Sequence, residues 1–537
     1  MSAPILSRST EYASTSTRLF SWTLASWIPL MAYLGLAAVL AAPFQYIMAK
    51  DEVNFLTIAE RYAQGDWRSA PNAYWYPLLS WLEAIPLWFH IKPASAAKVV
   101  SVLSGALAYV SLQRLLNVLG VAEWRRVLFS ALAVPALLYF TYFAAIADLL
   151  LVAIVIFYVA VTMKSPADGQ KSLDAVWRGI LGALAYFCKA YGLYFVLAHV
   201  SVLTLYGVVG HKTSVQRRTV IAHFGITLVV MGIIIGPWVG MLHRKYGVTT
   251  LGIHGPYNYA IRSPDFPDVP PTTVFGLMRP PDTATVSIWE EPYYLNAQLT
   301  SWSPLDSRRA FVHQLQLMKK SAAVVLEALT HFTILWSAFI SLALLLAFGP
   351  VPRSDSRVLG LMLFATLLYP LGYMGIYCEE RYLWPEYILI FSLMAFLIEQ
   401  LWTNKWFRPE WFKWVALGVV SVSFLPWPIW QLYSRANQGR AINDLGELLA
   451  SQGLSGKKIA SNGDYSASVC LAYRVKAKYY GQPKPAITEP ERDRTLLDNA
   501  IDYFLVWDGV EVHSSALSKI KEFRTGGRTL ALYAVLK

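Results

Sequence analysis

Four short segments of this 537-residue chain place charged side chains beside long apolar runs, where an ionised group is costly unless it has a task. The acidic pair Asp51 and Glu52 follows the first apolar run directly and opens a segment rich in aromatic residues. A carboxylate within hydrogen-bonding distance of a hydroxyl group can accept its proton, and partial shielding from water raises the carboxylate pKa toward a useful range. The alternative is that both acids lie on a solvated helix face.

Asp148 lies within an otherwise apolar stretch from Phe143 to Leu151. An acid near the centre of a membrane span costs about 2.5–3.5 kcal/mol on insertion scales. We therefore expect Asp148 to face a cavity, an interface or a partner of opposite charge. A water-facing position at the turn of a helical hairpin is the alternative.

Two cations complete the set. Lys189 stands among aromatic residues, three positions before Gly192, and its ammonium could bind a phosphate oxygen or extend to the membrane surface. Arg381 lies in a short segment, Glu379 to Pro385, between two apolar runs. Its guanidinium suits bidentate binding of phosphate, whereas a local surface pair with a neighbouring Glu would contribute little.

The composition indicates a membrane protein. Hydrophobic residues make up 55% of the chain and charged residues 15%, with a mean hydropathy of +0.40, whereas soluble proteins average about 25% charged residues. The 20 Trp and 31 Tyr fit side chains that concentrate at membrane–water boundaries. The three scattered cysteines imply no disulfide framework; they are Cys188, Cys378 and Cys470.

Apolar runs near the length of about 20 residues that spans a bilayer predict a bundle of about 11 membrane helices. Tight hairpin turns are predicted near Asp148 and near Lys189, where two spans follow one another directly. The spans are 20–44, 96–119, 127–146, 148–163, 178–190, 192–210, 219–241, 323–348, 358–377, 384–402 and 414–432.

The basic residues set the orientation. With the N-terminus inside, the predicted cytoplasmic segments hold 16 Lys and Arg against 6 acids, as the positive-inside rule expects. The net charge of +12 is therefore explained by topology, and its distribution argues against a nucleic-acid surface. In this orientation Asp51, Asp148, Lys189 and Arg381 all lie at the outer face.

Three larger pieces are then extracytoplasmic. Loop 48–95 holds two amphipathic stretches, 51–64 and 77–91, which are expected to lie in the membrane interface. Loop 242–322 is long and rich in Pro and aromatics, which favours a lid or a substrate-binding role. The predicted domains are a membrane body over 1–432 and a small α/β domain over 433–537.

Within the α/β domain, short apolar runs and periodicity predict both kinds of element. The predicted helices are 439–452, 490–499 and 513–522, and the predicted strands are 457–461, 469–475, 502–507 and 529–535.

The order of motifs along the chain resembles that of the GT-C glycosyltransferases. Within that class it is most similar to the bacterial branch that includes lipid A aminoarabinose and galacturonic acid transferases and protein O-mannosyltransferases. The motifs are Asp51-Glu52 after the first span, Gly65-Asp66-Trp67, Tyr76-Pro77-Leu78-Leu79, Asp148, the run Gly182 to Gly192 around Lys189, Gly255-Pro256-Tyr257-Asn258, and Glu380-Arg381-Tyr382-Leu383.

The resemblance implies an inverting enzyme of the bacterial inner membrane that takes a sugar from a polyprenyl-phosphate donor. It implies that Asp51 is the base, that Lys189 and Arg381 bind the leaving phosphate, and that Asp148 orients the substrates. Four further residues are assigned by the resemblance. Glu52 is a supporting acid, and Tyr76, Tyr382 and Glu380 line the substrate cavity. A further Lys expected in the first loop of the aminoarabinose branch has no clear equivalent, since Lys92 lies beyond the second amphipathic stretch.

Other readings stay open from the sequence. No His and Asp cluster has metal-ligand spacing, so no cofactor is certain and a divalent metal remains an alternative. A flippase for lipid-linked sugars would need internal repeats, which are not clear here, and a non-catalytic scaffold is a third class. The acceptor that the resemblance implies is a glycolipid, a polysaccharide or a protein.

Overall fold

The computed structural model describes residues 23–163, 172–210, 213–267, 269–331, 353–403 and 410–536. Within these residues, eight helical stretches are long and apolar enough to cross a membrane. They are Leu24–Phe44, Pro93–Val118, Glu123–Phe143, Ala190–Gly210, Ser214–Tyr246, Arg357–Met374, Glu380–Thr403 and Lys413–Ala450.

The structure has a mainly helical body followed by a small sheet. The helices of the body are α1 Leu24–Phe44, α2 Lys50–Ala63, α3 Pro77–Trp88, α4 Pro93–Val118, α5 Glu123–Phe143, α6 Ala147–Thr162, α7 Ser172–Cys188, α8 Ala190–Gly210, α9 Ser214–Tyr246, α10 His254–Ala260, α11 Pro271–Val274, α12 Pro292–Asn296, α13 Arg308–Thr330, α14 Arg353–Met374, α15 Trp384–Thr403, α16 Glu410–Phe424 and α17 Pro426–Arg435.

The count of 11 spans is not reproduced. Helices α6 and α7 are apolar but have only 16 and 17 residues, and residues 332–348 of the predicted span 323–348 lie outside the described residues. The helices are interrupted near both predicted turns. Helix α6 begins at Ala147, and Lys189 separates α7 from α8.

Helices α6 and α15 form the centre of the body. Fifteen of the 16 residues of α6 and 18 of the 20 residues of α15 are buried, because both helices are apolar on all faces. By contrast, only 28% of the residues in the 18-residue apolar stretch of α1 are buried. Side chains such as Val39, which is 71% exposed, therefore form an outer surface suited to lipid.

Both amphipathic stretches of loop 48–95 are helical, as α2 and α3. Helix α2 is not exposed at the membrane interface as predicted, because ten of its 14 residues are buried within the protein. The C-terminal domain covers it: the Tyr473 hydroxyl donates to Glu60 Oε1 at 2.9 Å, and Val53 packs in the core of that domain. The sequence pattern predicts that α2 has an apolar face. It does not predict that the C-terminal domain covers the polar face.

Loop 242–322 is an ordered cover over the body. It carries α10, α11, a 3₁₀ turn at Ile288–Glu290 and α12. Arg61 of α2 pairs with Asp282 at 3.2 Å and with Glu290 at 3.4 Å, and Lys245 pairs with Glu291. The Arg61 pairs fix the far part of the loop to loop 48–95, and the Lys245–Glu291 pair joins the far part of the loop to the end of α9.

The C-terminal domain holds a five-stranded sheet with order β2-β1-β3-β5-β4, in which β1 pairs in parallel with β2 and β3 and the other pairs are antiparallel. Its elements are α18 Arg440–Ala450, β1 Lys458–Ser461, α19 Tyr465–Arg474, β2 Lys478–Tyr479, α20 Glu489–Asp498, β3 Tyr503–Trp507, β4 Leu517–Thr525 and β5 Arg528–Val535.

Two of the predicted elements of this domain are wrong. Residues 469–475, predicted as a strand, belong to helix α19, because the Asp464 side chain accepts from Ala467 N and caps a helix over this short apolar run. Residues 513–522, predicted as a helix, lie mainly in β4, an edge strand whose exposed Lys and Glu residues resemble a helix surface in sequence.

Candidate functional site

Four helix ends meet beneath loop 242–322 and bring the four predicted charges together. Asp51 is in the first turn of α2, Asp148 is in the first turn of α6, and Lys189 is the single residue between α7 and α8. Arg381 lies in a 3₁₀ turn, Glu380–Leu383, that precedes α15. Side chains at helix ends can reach a shared space without breaking a helix, so this junction is suited to a binding site.

The Arg381 guanidinium lies at the centre of the cluster. Its Nη2 donates to Asp51 Oδ2 at 2.9 Å, although the two residues are 330 positions apart. Its Nε donates to Glu379 Oε2 at 2.6 Å, and its Nη1 lies 4.0 Å from Asp148 Oδ2. One cation therefore links three acids from three parts of the chain.

Lys189 extends this chain of charges. Its Nζ donates to Asp148 Oδ1 at 2.6 Å, and it lies 3.5 Å from the centre of the Tyr382 ring. The side chains of Asp51, Asp148, Lys189 and Arg381 are 18%, 8%, 11% and 16% exposed. The cluster is thus largely shielded from water while some of its surface stays open to a ligand.

The pKa of Asp51 differs from the sequence expectation of a raised value. Burial by itself raises the pKa of this carboxyl, but Arg381, Lys50 and Lys189 more than offset burial and hold it below its ordinary value. In this state Asp51 is an ionised and weakly basic carboxylate. A stronger base requires that Arg381 be engaged elsewhere.

Glu52 lies apart from the cluster, in the interior. Its Oε2 accepts from Ala145 N at 3.2 Å, its Oε1 is 3.9 Å from Lys98 Nζ, and the residue has no exposed surface. Burial and the nearby Glu52 carboxylate raise the pKa of Glu83, which is also fully buried. Glu52 therefore holds the start of α2 against residues 144–146 and does not face the same space as Asp51.

The three predicted cavity residues have different surroundings. Tyr382 lies over Lys189 and so belongs to the cluster. Tyr76 is 5% exposed, and its hydroxyl donates to the Leu251 carbonyl at 3.0 Å, so it secures the start of the covering loop. Glu380 faces away from Arg381 and accepts from Trp427 Nε1 at 3.4 Å.

Sequence reasoning missed several residues around the cluster. Glu379 pairs with Arg381, whereas Glu380 accepts from Trp427, because the 3₁₀ turn directs the two carboxylates apart. His254, at the start of α10, contacts Tyr74 with ring centres 4.7 Å apart and ring planes tilted by 41°. Burial, with the cations Lys189 and Arg381, lowers the pKa of His254 to about 3, so the imidazole is neutral. The motif from Gly255 to Asn258, which directly follows His254, was the sequence feature that could have indicated this residue.

The C-terminal domain also reaches this space. Lys50, next to Asp51, lies 5.9 Å from the ring centre of Tyr465, the first residue of α19. The same ring contacts Trp289 of the covering loop with centres 5.9 Å apart. The chamber is therefore bounded by the body, the loop and the C-terminal domain together.

The chain matches no family model and no curated protein, but it resembles solved structures. Over 95% of this chain and 98% of the other, the structure is similar to ArnT from Cupriavidus metallidurans, solved with undecaprenyl phosphate, with a TM-score of 0.55 and 14% identity. It is also similar to the oligosaccharyltransferase AglB from Archaeoglobus fulgidus, over 89% of this chain and 69% of that one, with a TM-score of 0.54 and 10% identity. The fold is that of a GT-C glycosyltransferase.

A third match agrees with the GT-C fold. The arabinofuranosyltransferase AftD from Mycobacteria has a TM-score of 0.50 and 12% identity, with 97% of this chain and 40% of AftD covered. The AglB structure compared above holds an inhibitory peptide and a dolichol-phosphate, and another AglB crystal holds Zn and sulfate.

The charged residues of this GT-C chamber do not fit a metal ion as they stand. Asp51 and Asp148 are already paired with Arg381 and Lys189 at 2.9 and 2.6 Å. Within the described ranges, no group of three or more His, Cys, Asp or Glu side chains is placed to hold a metal. The chemistry of the chamber is therefore derived from its cations and carboxylates.

Proposed function

We propose that this protein is an inverting glycosyltransferase that moves a sugar from a polyprenyl-phosphate donor to an acceptor hydroxyl or phosphate in the cell envelope. The observation that carries the proposal is the chain of paired charges from Asp51 through Arg381 and Asp148 to Lys189 in one shielded chamber. A phosphate leaving group needs fixed positive charge, and a hydroxyl nucleophile needs a base. The chamber offers both.

In the proposed reaction, the acceptor oxygen attacks the anomeric carbon while its proton passes to the Asp51 carboxylate. The bond from the anomeric carbon to the phosphate oxygen breaks, and its electron pair stays with the lipid phosphate. Arg381 and Lys189 stabilise the charge that develops on that phosphate. Attack from the side opposite the leaving group inverts the anomeric configuration.

The ion pairs imply an order of binding. Arg381 holds the pKa of Asp51 low while the two are paired. A donor phosphate that takes part of the Arg381 guanidinium weakens this pair, so the pKa of Asp51 rises and the carboxylate becomes a better base. The donor therefore prepares the base, and the acceptor binds second.

The other residues have supporting roles in this proposal. Asp148 holds Lys189 in place and orients the substrates, and Tyr382 packs against the Lys189 ammonium. Tyr76 secures the covering loop beside the cavity. Glu52 positions α2, and Glu380 fixes the turn that carries Arg381.

The proposal places the chain in the bacterial inner membrane as a multi-pass protein, with the chamber outside the cytoplasm. It retains the division into a membrane body over 1–432 and an extracytoplasmic α/β domain over 433–537. The positive-inside distribution supports this orientation. The presence of undecaprenyl phosphate in ArnT and dolichol-phosphate in AglB, two proteins of the same fold, supports a lipid-phosphate donor.

The proposal is tested with the variant Asp51→Asn, which keeps the shape of the side chain but removes the base. We expect release of undecaprenyl phosphate from its aminoarabinose, galacturonic acid or mannose derivative to fall by about 10²-fold or more, within the range typical of general-base catalysis. The matched control is Asp498→Asn, since Asp498 is 69% exposed on the C-terminal domain. Unchanged turnover in Asp51→Asn, with the wild-type enzyme active, would contradict the base assignment.

A further inference from the structure

A second basic site lies away from the chamber, at the beginning of α13. The first half of this helix and the turn at residues 261–266 enclose an open cleft of about 500 Å³. It is lined by Pro264, Arg308, Arg309, Val312, His313 and Gln316. None of these residues has a role in the proposed reaction.

The positive charge of this cleft is only partly neutralised. Arg309 pairs with Asp265 at 2.8 Å, but both side chains are largely exposed. The Arg308 side chain makes no hydrogen bond or ion pair with the described residues. No acid lies in the first turn of α13, so both arginines add to the positive end of the helix dipole. Asp306 is close in sequence, and its carboxylate accepts from Ser303 N at 2.6 Å.

His313 gives the inner wall of the cleft a fixed geometry. Its Nε2 donates to the Arg262 carbonyl at 2.8 Å, and its ring meets Trp302 edge-on with centres 5.5 Å apart. The cleft thus presents two guanidinium groups and the Gln316 amide beside a wall held by His313, and these donors suit an anion with several oxygens.

The apolar surface beside the cleft indicates where this anion comes from. On the same helix, Phe311 and Leu315 are each 50% exposed and Met318 is 41% exposed. Further along, Ala328 and Leu329 are buried against the body. A basic helix with an exposed apolar side next to the bundle is typical of a segment in the headgroup region of a bilayer. A ligand that carries both phosphate and hydrocarbon matches both surfaces.

We propose that the Arg308–Arg309 cleft binds the phosphate of an anionic lipid at the membrane surface. The guanidinium groups bind the phosphate, and the acyl chains lie along Phe311, Leu315 and Met318. The proposal does not depend on the glycosyltransferase assignment, because it uses no residue of the chamber.

The test measures binding of dioleoyl phosphatidic acid to the purified full-length protein in neutral detergent, by native mass spectrometry over a lipid titration. The double variant Arg308→Gln/Arg309→Gln is expected to weaken binding by about tenfold or more, since two charge-assisted contacts are lost. The control Arg494→Gln/Arg524→Gln removes two cations that are 84% and 80% exposed on the C-terminal domain, and it should bind like wild type.

A second variant tests the same site without removing a cation. Asp265→Asn releases Arg309 from its only acid partner among the described residues, so phosphatidic acid should bind more tightly. Equal binding by wild type, Asp265→Asn and the Arg308/Arg309 variant would overturn the proposal. Equal affinity for dioleoyl phosphatidylcholine would overturn the selectivity for an anionic headgroup. Equal affinity for glycerol 3-phosphate would show a soluble-phosphate site and overturn the lipid assignment.

Discussion

At the residue scale, the chamber consists of charges that hold one another in place. Lys189 and Asp148 form a close pair, and Arg381 joins that pair to Asp51. When one partner of a buried pair is removed, the other is left as an uncompensated charge, which is strongly destabilising. The same groups are proposed to bind substrate, so stability and activity must be measured separately for each variant.

Lys189→Met is expected to reduce both properties. Sugar release should fall by about 10²-fold, because one of two phosphate-binding cations is lost. The melting temperature should also fall, because Asp148 keeps only Arg381, 4.0 Å away, as a cation partner in the cluster. The double variant Lys189→Met/Asp148→Asn should recover most of the melting temperature and none of the activity. Recovery of activity would mean that Lys189 serves only to neutralise Asp148.

These charges were predictable because an ion beside an apolar run needs a partner, whatever the fold. The positions of their neighbours were not. Glu52 follows Asp51, but successive residues on a helix point about 100° apart, so only one of the two faces the chamber. The choice between Glu379 and Glu380 depends on the 3₁₀ turn, which the sequence does not reveal.

At the element scale, loop 242–322 is held over the body by buried acids. Glu290 is 1% exposed, accepts from Val286 N at 2.5 Å and lies 3.4 Å from Arg61. Its length and aromatic content predicted a functional loop. The ion pairs that anchor it join residues more than 200 positions apart, so no local pattern could reveal them.

The contribution of Glu290 to folding stability is expected to fall as pH rises. Burial raises the pKa of Glu290 from 4.5 to about 7, against the opposing effect of Arg61. The folded protein therefore binds more protons than the unfolded chain between these values, and its stability falls as pH increases through that window. The full contribution is about 3 kcal/mol, given 1.36 kcal/mol per pKa unit.

The measurement is the melting temperature of Glu290→Gln and wild type between pH 5 and pH 8. The variant should lose less stability over this range, because the amide does not titrate and can still accept from Val286 N. Glu511→Gln is the control, since Glu511 is 87% exposed. Parallel curves for Glu290→Gln and wild type would contradict the assignment of this pH dependence to Glu290.

At the scale of the whole molecule, the C-terminal domain is a structural part of the chamber. It covers α2, and the covering loop pairs alongside its edge strand β2, since Tyr479 N donates to the Val286 carbonyl at 2.8 Å. The connection to the body passes through Gly439, whose φ is +85° and whose position lies against the Tyr46 carbonyl. The α/β character of this domain was predictable from its composition, but its contact with α2 was not.

Gly439→Ala is expected to displace this connection. A Cβ atom there would lie 2.5 Å from the Tyr46 oxygen, in addition to the strain of a positive φ. The matched control is Gly453→Ala, because Gly453 has a φ of +73° but no atom within 4 Å of the added Cβ. The control should lose only about 1 kcal/mol of stability, whereas Gly439→Ala should lose more and also lose sugar transfer. Equal effects would show that the contact with Tyr46 does not hold the domain.

Because Asp51 and Arg381 are separated by 330 positions and Tyr465 comes later still, the chamber is complete only after Tyr465 has been synthesised. A partly inserted chain has the acid of α2 without the guanidinium that is proposed to bind the donor. Under the proposed function, such a chain would be inactive while Arg381 and Tyr465 are still to be made. The long sequence separation of these groups would therefore delay activity until the turn before α15 and helix α19 are in place.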